Sequence, residues 1–116
     1  MLTSEISDDV IIYSFDKTDK LNTVNSETLK KEISGHFNKR ETRVILDLGN
    51  IVFIDSSGFA ALLSILRNVR SNSGIFCLCN ITPDVMSLFR LLQLHRIFQI
   101  FDNREECLES FDQSQK

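Results

Sequence analysis

The sequence predicts an α/β fold, a single domain with a mixed, mostly parallel sheet of four to five strands and about four helices. Three observations carry that expectation. Short apolar runs alternate with amphipathic stretches of about ten residues or more, the spacing of strand–helix–strand crossovers and so of parallel strands. The first two apolar runs are instead separated only by Ser7-Asp8-Asp9, so they form a hairpin and make the sheet mixed. Residues 44–70 then read strand, turn, helix, and the rest of the chain is arranged about them. At 116 residues the chain has the length of one domain, with its core expected over about 3–111.

In order, residues 3–6 read as a short edge strand and 10–15 as a clearer one. Residues 16–23 are polar and lack periodicity, so they read as a loop. Residues 25–38 read as an amphipathic helix. Asn25 or Ser26 is its cap, Glu27 sits in the first turn, and Leu29, Ile33 and Phe37 run along one side. Lys30, Lys31, Glu32 and Lys39 line its solvated side. Residues 44–48 are branched and apolar except for Asp47, and Gly49-Asn50 closes them as turn residues do.

Residues 51–54 run up to Asp55-Ser56-Ser57-Gly58, after which the apolar period becomes helical. Phe59, Leu62, Leu63, Leu66 and Val69 fall at i, i+3, i+4, i+7 and i+10, so they share a face that must be buried. Asn72-Ser73-Gly74 stops this helix. Residues 75–79 are apolar throughout, as in a strand covered on both faces. Thr82-Pro83-Asp84 starts another helix: Thr caps it, Pro stands where its missing N–H does no harm, and Asp84 meets the positive end. Val85, Leu88, Phe89 and Leu92 form its apolar stripe. Residues 97–101 read as a last short strand. Asp102-Asn103 then caps a terminal helix with Glu105 and Glu106 in its first turn and Cys107, Leu108 and Phe111 facing inward. Residues 112–116 read as a frayed end.

Composition excludes several classes of function. A net charge of -3 with 13 Lys and Arg gives no electrostatic footprint for nucleic acid. No stretch approaches the roughly 18 apolar residues of a membrane span. Residues 1–9 carry three acids where a secretory signal would carry bases, so the expected location is cytoplasmic. Three irregularly spaced cysteines suit reduced thiols better than a disulfide framework.

Little in the sequence points to catalysis. His36 and His95 are single histidines with no Cys, Asp or Glu at ligand spacing. Cys77 and Cys79 share one face of a strand but lack the second pair of a zinc site. There is no Gly-rich phosphate loop, no His-Glu pair on a helix and no Gly-x-Ser-x-Gly elbow. Ser56 has no histidine near it in sequence. An enzyme is not expected, nor a metal or cofactor.

The sharpest feature is Asp55-Ser56-Ser57-Gly58. Asp and Ser cap helix starts because their oxygens accept from the unpaired N–H groups of the first turn. By residue type alone the segment is a cap and a tight turn. Its wider context adds more. Phe53-Ile54-Asp55-Ser56-Ser57-Gly58-Phe59-Ala60-Ala61-Leu62-Leu63 resembles the signature of the STAS family, whose prokaryotic members include the anti-sigma factor antagonists. Asn25-Ser26-Glu27-Thr28-Leu29-Lys30, Ile81-Thr82-Pro83-Asp84-Val85 and Leu94-His95-Arg96-Ile97-Phe98 resemble its flanking segments.

The resemblance implies a non-catalytic switch. In phosphorylatable members the serine directly after the Asp, here Ser56, is phosphorylated by a partner that is both anti-sigma factor and serine kinase. The unphosphorylated form binds that partner and frees the sigma factor, and a serine phosphatase restores it. The implied partner surface comprises Asn22, Thr23, Asp55, Ser56, Ser57 and Gly58. Asp19-Lys20-Leu21-Asn22 departs from the family's Gly-x-Leu-Asp-like segment by putting Asn22 where many antagonists have an acid, and Gln93-Leu94 replaces a common Gly-Leu. Two other roles remain open within the resemblance. One is a subunit that docks on the ATPase of a membrane lipid-transport complex without being phosphorylated. The other is a domain that binds a nucleotide or small ligand.

Overall fold

The computed structural model describes residues 2–7, 9–35 and 42–114, the last three by backbone alone. His36, Phe37 and Lys39 fall outside these residues. The elements are β1 (Leu2–Ser7), β2 (Val10–Phe15), β3 (Lys20–Leu21), α1 (Ser26–Ser34), β4 (Arg43–Asp47) and β5 (Phe53–Ile54). They continue with α2 (Ser56–Ser71), β6 (Ile75–Cys79), α3 (Pro83–Leu91), a 3-10 turn (Leu94–Arg96), β7 (Gln99–Phe101) and α4 (Arg104–Ser114).

Five strands make the main sheet in the order β1-β2-β4-β6-β7. β1 and β2 pair antiparallel as the expected hairpin, and the other three pairings are parallel. Asp9, with φ 67°, makes the tight turn of the hairpin. Alternation along the strands then divides the core. Tyr13, Phe15, Val44, Leu46, Phe76 and Leu78 meet α1, α2 and α3 on one face, while Val10, Ile12, Ile45, Cys77 and Cys79 meet α4 on the other. β6, buried on both faces, is therefore apolar throughout, and β4 is apolar over its buried centre, Val44 to Leu46, with Arg43 and Asp47 at its half-buried ends.

Four differences from the sequence reading have physical causes. Residues 16–23 are not wholly loop, because Lys20–Leu21 forms β3 and pairs in parallel with β5 in a separate two-stranded sheet. Two residues have no readable period; the pairing comes from long-range bonds, with Val52 N–H and Phe53 N–H both donating to the Asp19 carbonyl at 2.8 and 3.3 Å. The last strand begins at Gln99 because the N–H groups of Ile97 and Phe98 turn back to the Leu94 carbonyl, at 3.0 and 3.1 Å. Leu92 is half exposed rather than part of a buried stripe, since α3 ends at Leu91 and Gln93 swings the chain away with φ 62°. Helix α4 continues through Ser114, so the backbone of 112–114 is helical and not frayed.

Candidate functional site

The site begins where β5 hands over to α2. Asp55 is extended (φ -94°, ψ -176°), and its carboxylate accepts the Gly58 N–H at 3.0 Å. Its carbonyl accepts from Phe59 N–H at 3.1 Å, the first bond of the helix. Asp55 is thus the N-cap, a role worth about 1 kcal/mol. The two residues after it occupy the first turn, where N–H groups lack intrahelical partners and the helix dipole is positive. Ser56 is exposed there, and Ser57 is half-buried.

Gly58 is buried, and it allows a close crossing of two elements. A Cβ at that position would stand 2.7 Å from the Leu21 carbonyl oxygen and 2.7 Å from Ile54 Cγ2. Leu21 and Ile54 are themselves buried, at 0% and 2% exposure. The small residue lets the first turn of α2 lie directly on the β3–β5 pair, and Asp55 N–H ties the two together by donating to Leu21 O at 3.1 Å.

A second turn, between β3 and α1, is braced by its own asparagines. Asn22 Oδ1 accepts from Val24 N–H at 3.0 Å, and Asn25 Oδ1 accepts from Asn22 N–H at 2.9 Å. Asn25 Nδ2 donates to the Lys20 carbonyl at 2.8 Å. Asn25 occupies the N-cap position of α1 but makes no side-chain bond to that helix, because its amide is spent on the turn. This frame holds Thr23 Oγ1 at 3.3 Å from Ser57 Oγ, joining the two turns. Of the residues singled out by sequence, Asn22, Thr23, Asp55, Ser56 and Ser57 therefore lie on adjoining turns, with Gly58 beneath them. Val24, Val52 and Phe53 on the same segments expose large apolar side chains, at 87%, 49% and 47%. Residue type alone did not reveal the roles of Leu21, Asn25 and Ile54; the close glycine contact with Leu21 is a tertiary fact, and the turn knitted by amides is local but follows no period.

Other polar and reactive groups are used elsewhere. Cys77, Cys79 and Cys107 are free and buried together under α4. A hydrogen bond with Cys107, and then burial, raises Cys79 far above the ordinary thiol range. Cys107 is pushed up to about 12, first by its bond with Cys77. Asp47 accepts from Arg104 Nε at 2.7 Å and from Asn80 Nδ2 at 3.1 Å, and Arg104 also pairs with Glu5. That network ties α4 to β1, β4 and the end of β6. His95 lies in the 3-10 turn, and its Nδ1 is buried without a hydrogen-bond partner among the described residues. Among the described residues, no three His, Cys, Asp or Glu gather as metal ligands do. No helix there is long and apolar enough to cross a membrane.

Comparison with known proteins gives this geometry a family. Residues 1–107 match the STAS domain. The chain belongs to the STAS domain family. A candidate anti-sigma factor antagonist of Thermotoga maritima is 32% identical over 110 residues, which cover 94% of this chain and 96% of that protein. BtrV of Bordetella bronchiseptica, also named as a candidate anti-sigma factor antagonist, is 32% identical over 91 residues, 78% of each chain. A crystal structure of a candidate anti-sigma factor antagonist from Thermotoga maritima superposes with a TM-score of 0.83 at 30% identity, covering 94% of this chain and 92% of that one. The unphosphorylated form of the anti-sigma factor antagonist SpoIIAA shares the fold, with a TM-score of 0.70 at 19% identity over 99% of this chain and 98% of its own. In this STAS domain the signature serines stand at the start of α2, where the Asp19–Asn25 segment packs beside them.

Proposed function

We propose that this protein is an anti-sigma factor antagonist, a non-enzymatic partner switch of the cytoplasm. Its unphosphorylated form binds an anti-sigma factor that is also a serine kinase, phosphorylation of Ser56 releases it, and a serine phosphatase resets it. The observation that carries this reading is the exposure of Ser56 on the first turn of α2, directly after the capping Asp55 and beside the Thr23 turn. The names of the relatives agree with it.

The physical chemistry supports a change in binding with little change in fold. A phosphoserine adds about -1.5 to -2 charges at neutral pH. At an exposed helix N-terminus an anion gains roughly 0.3–1 kcal/mol from the dipole and the free N–H groups, part of which Asp55 offsets. Across a docked interface, like charges brought together can cost several kcal/mol, and each 1.4 kcal/mol is about a tenfold loss of affinity. The exposed Val24, Val52 and Phe53 offer apolar contact area to the partner.

The test is fragmentation mass spectrometry of the tryptic peptide spanning residues 44–67, from protein isolated under stress and non-stress conditions. The fragments must distinguish Ser56 from Ser57 and Ser64. Phosphate on Ser56 that changes with condition is the expected result. Its persistent absence would refute the switch and favour a constitutive docking subunit.

A further inference from the structure

The distribution of charge on this protein is uneven in a way that the switch does not use. Residues 56–101 hold four basic side chains, Arg67, Arg70, Arg90 and Arg96, against a single acid, Asp84. The other seventy residues hold nine bases and fifteen acids. All four arginines are exposed. They lie on the C-terminal half of α2, the last turn of α3 and the 3-10 turn, while Asp84 stands in the first turn of α3.

The same segments leave apolar surface uncovered. A groove of about 480 Å³ runs between α2 and the chain before β7, lined by Leu63, Leu66, Arg67, Arg70, Ser71 and Ile97. Arg70 Nη2 donates to the Ile97 carbonyl at 3.2 Å, which fixes that side chain across the groove. Ile97 is 41% exposed, and Leu91 and Leu92, where α3 ends, are 76% and 50% exposed. Leu63, Leu66 and Ile97 beside Arg67 and Arg70 put the two parts of a recognition surface in one groove, apolar contact for affinity and positive charge for orientation.

We propose that this end of the domain is a second docking surface, whose occupant is an acidic amphipathic segment of a protein partner. Charge complementarity selects such a segment: its apolar side chains fill the groove and its carboxylates meet Arg67 and the arginines beside it. A bilayer fits less well. Anionic lipid attracts basic residues near its surface, but the chain as a whole carries a net charge of -3 and the groove is concave. The surface is also separate from the Ser56 site. From Ser56 to Arg70 the helix rises by about 1.5 Å per residue, so the two ends of α2 stand roughly 20 Å apart. One molecule can therefore hold a partner at each end.

The experiment titrates the full, isotopically labelled chain with a synthetic helical peptide carrying leucines on one face and glutamates on its flanks, followed by amide chemical shifts. The expected result is saturable shifts at Leu63, Leu66, Arg67, Arg70, Leu91 and Ile97, with Thr23 and Ser56 unmoved. Arg67→Glu should weaken the peptide by about tenfold or more, the scale of an interfacial charge reversal. Leu91→Gln, at an exposed helix end where the fold does not need the leucine, should weaken it independently. Absent shifts, or shifts confined to the Ser56 end, overturn the proposal. So does sedimentation with phosphatidylglycerol vesicles in the absence of peptide binding, which would assign the surface to a membrane. Self-association that Leu91→Gln abolishes would assign it to a second copy and equally overturn the proposal.

Discussion

Gly58→Ala places one methyl group where the first turn of α2 crosses the β3–β5 pair most closely. The added carbon meets Leu21 O and Ile54 Cγ2 at 2.7 Å and Leu21 Cγ at 3.0 Å, whereas ordinary contact begins near 3.4 Å. Leu21 O is backbone, so relief requires β3 and α2 to separate by several tenths of an ångström. That movement stretches the bond from Asp55 N–H to Leu21 O, now 3.1 Å. Overpacking of this kind costs about 1–3 kcal/mol, and weakening a hydrogen bond adds up to about 1. Against this, alanine in place of glycine in a helix gains about 0.5–1 kcal/mol. The balance is a loss of about 1–2 kcal/mol. In urea, with a slope of about 1–3 kcal/mol per molar, the midpoint should fall by roughly 0.5–1 M. Hydrogen exchange at the Asp55 amide should accelerate. A variant as stable as the native chain, with Asp55 protection unchanged, would refute the argument, because helix propensity would then have outweighed the clash.

Three further predictions follow from other residues. Gln93 holds φ 62° without being glycine; Gln93→Gly removes a left-handed penalty of about 1–2 kcal/mol and adds a chain-entropy cost of about 0.5–1, so thermal unfolding should shift slightly upward. A destabilised variant would show that the Gln93 side chain makes the turn. Tyr13 is the only tyrosine, and there is no tryptophan, so phenolate absorbance reports it alone. Burial first, and Glu32 second, raise its pKa from 10.0 to about 12. Because the folded value is the higher one, this contribution to stability is fully present below pH 10 and is lost as pH rises towards 12. A native titration midpoint at 10 would contradict the burial. Finally, Cys77, Cys79 and Cys107 are 0% exposed; a thiol reagent should leave them unmodified in the native protein and modify all three in urea. Rapid labelling without denaturant would mean that α4 lifts from the sheet.

Several elements of this protein were legible because they depend on local spacing. The apolar run at 75–79 announces a strand buried on both faces, and the spacing of Phe59, Leu62, Leu66 and Val69 announces the buried side of α2. Asp55 announces a cap, since a carboxylate three residues before an amide needs nothing distant to reach it. Thr82 is a contrary case. It stands at the N-cap of α3 as its type suggests, yet its hydroxyl donates to the Ile51 carbonyl at 2.8 Å and makes no bond to its own helix.

Read alone, the sequence reveals the order of the main-sheet strands and the helices, the hairpin that makes the sheet mixed, the two-sided burial of β6 and the serines at the start of α2. Each follows from interactions within a few residues or from a hydrophobic period. Tertiary structure alone decided that Lys20–Leu21 is a strand, that Asn25 braces a turn, and that Thr23 stands against Ser57. It also decided that Leu91 and Leu92 remain open and that Ile97 lines a groove with Arg67 and Arg70. The β3–β5 pairing and the Thr23–Ser57 contact join residues more than thirty positions apart, the Asn25 bonds are local but aperiodic, and the open leucines depend on where a helix ends, so no local period encodes any of them.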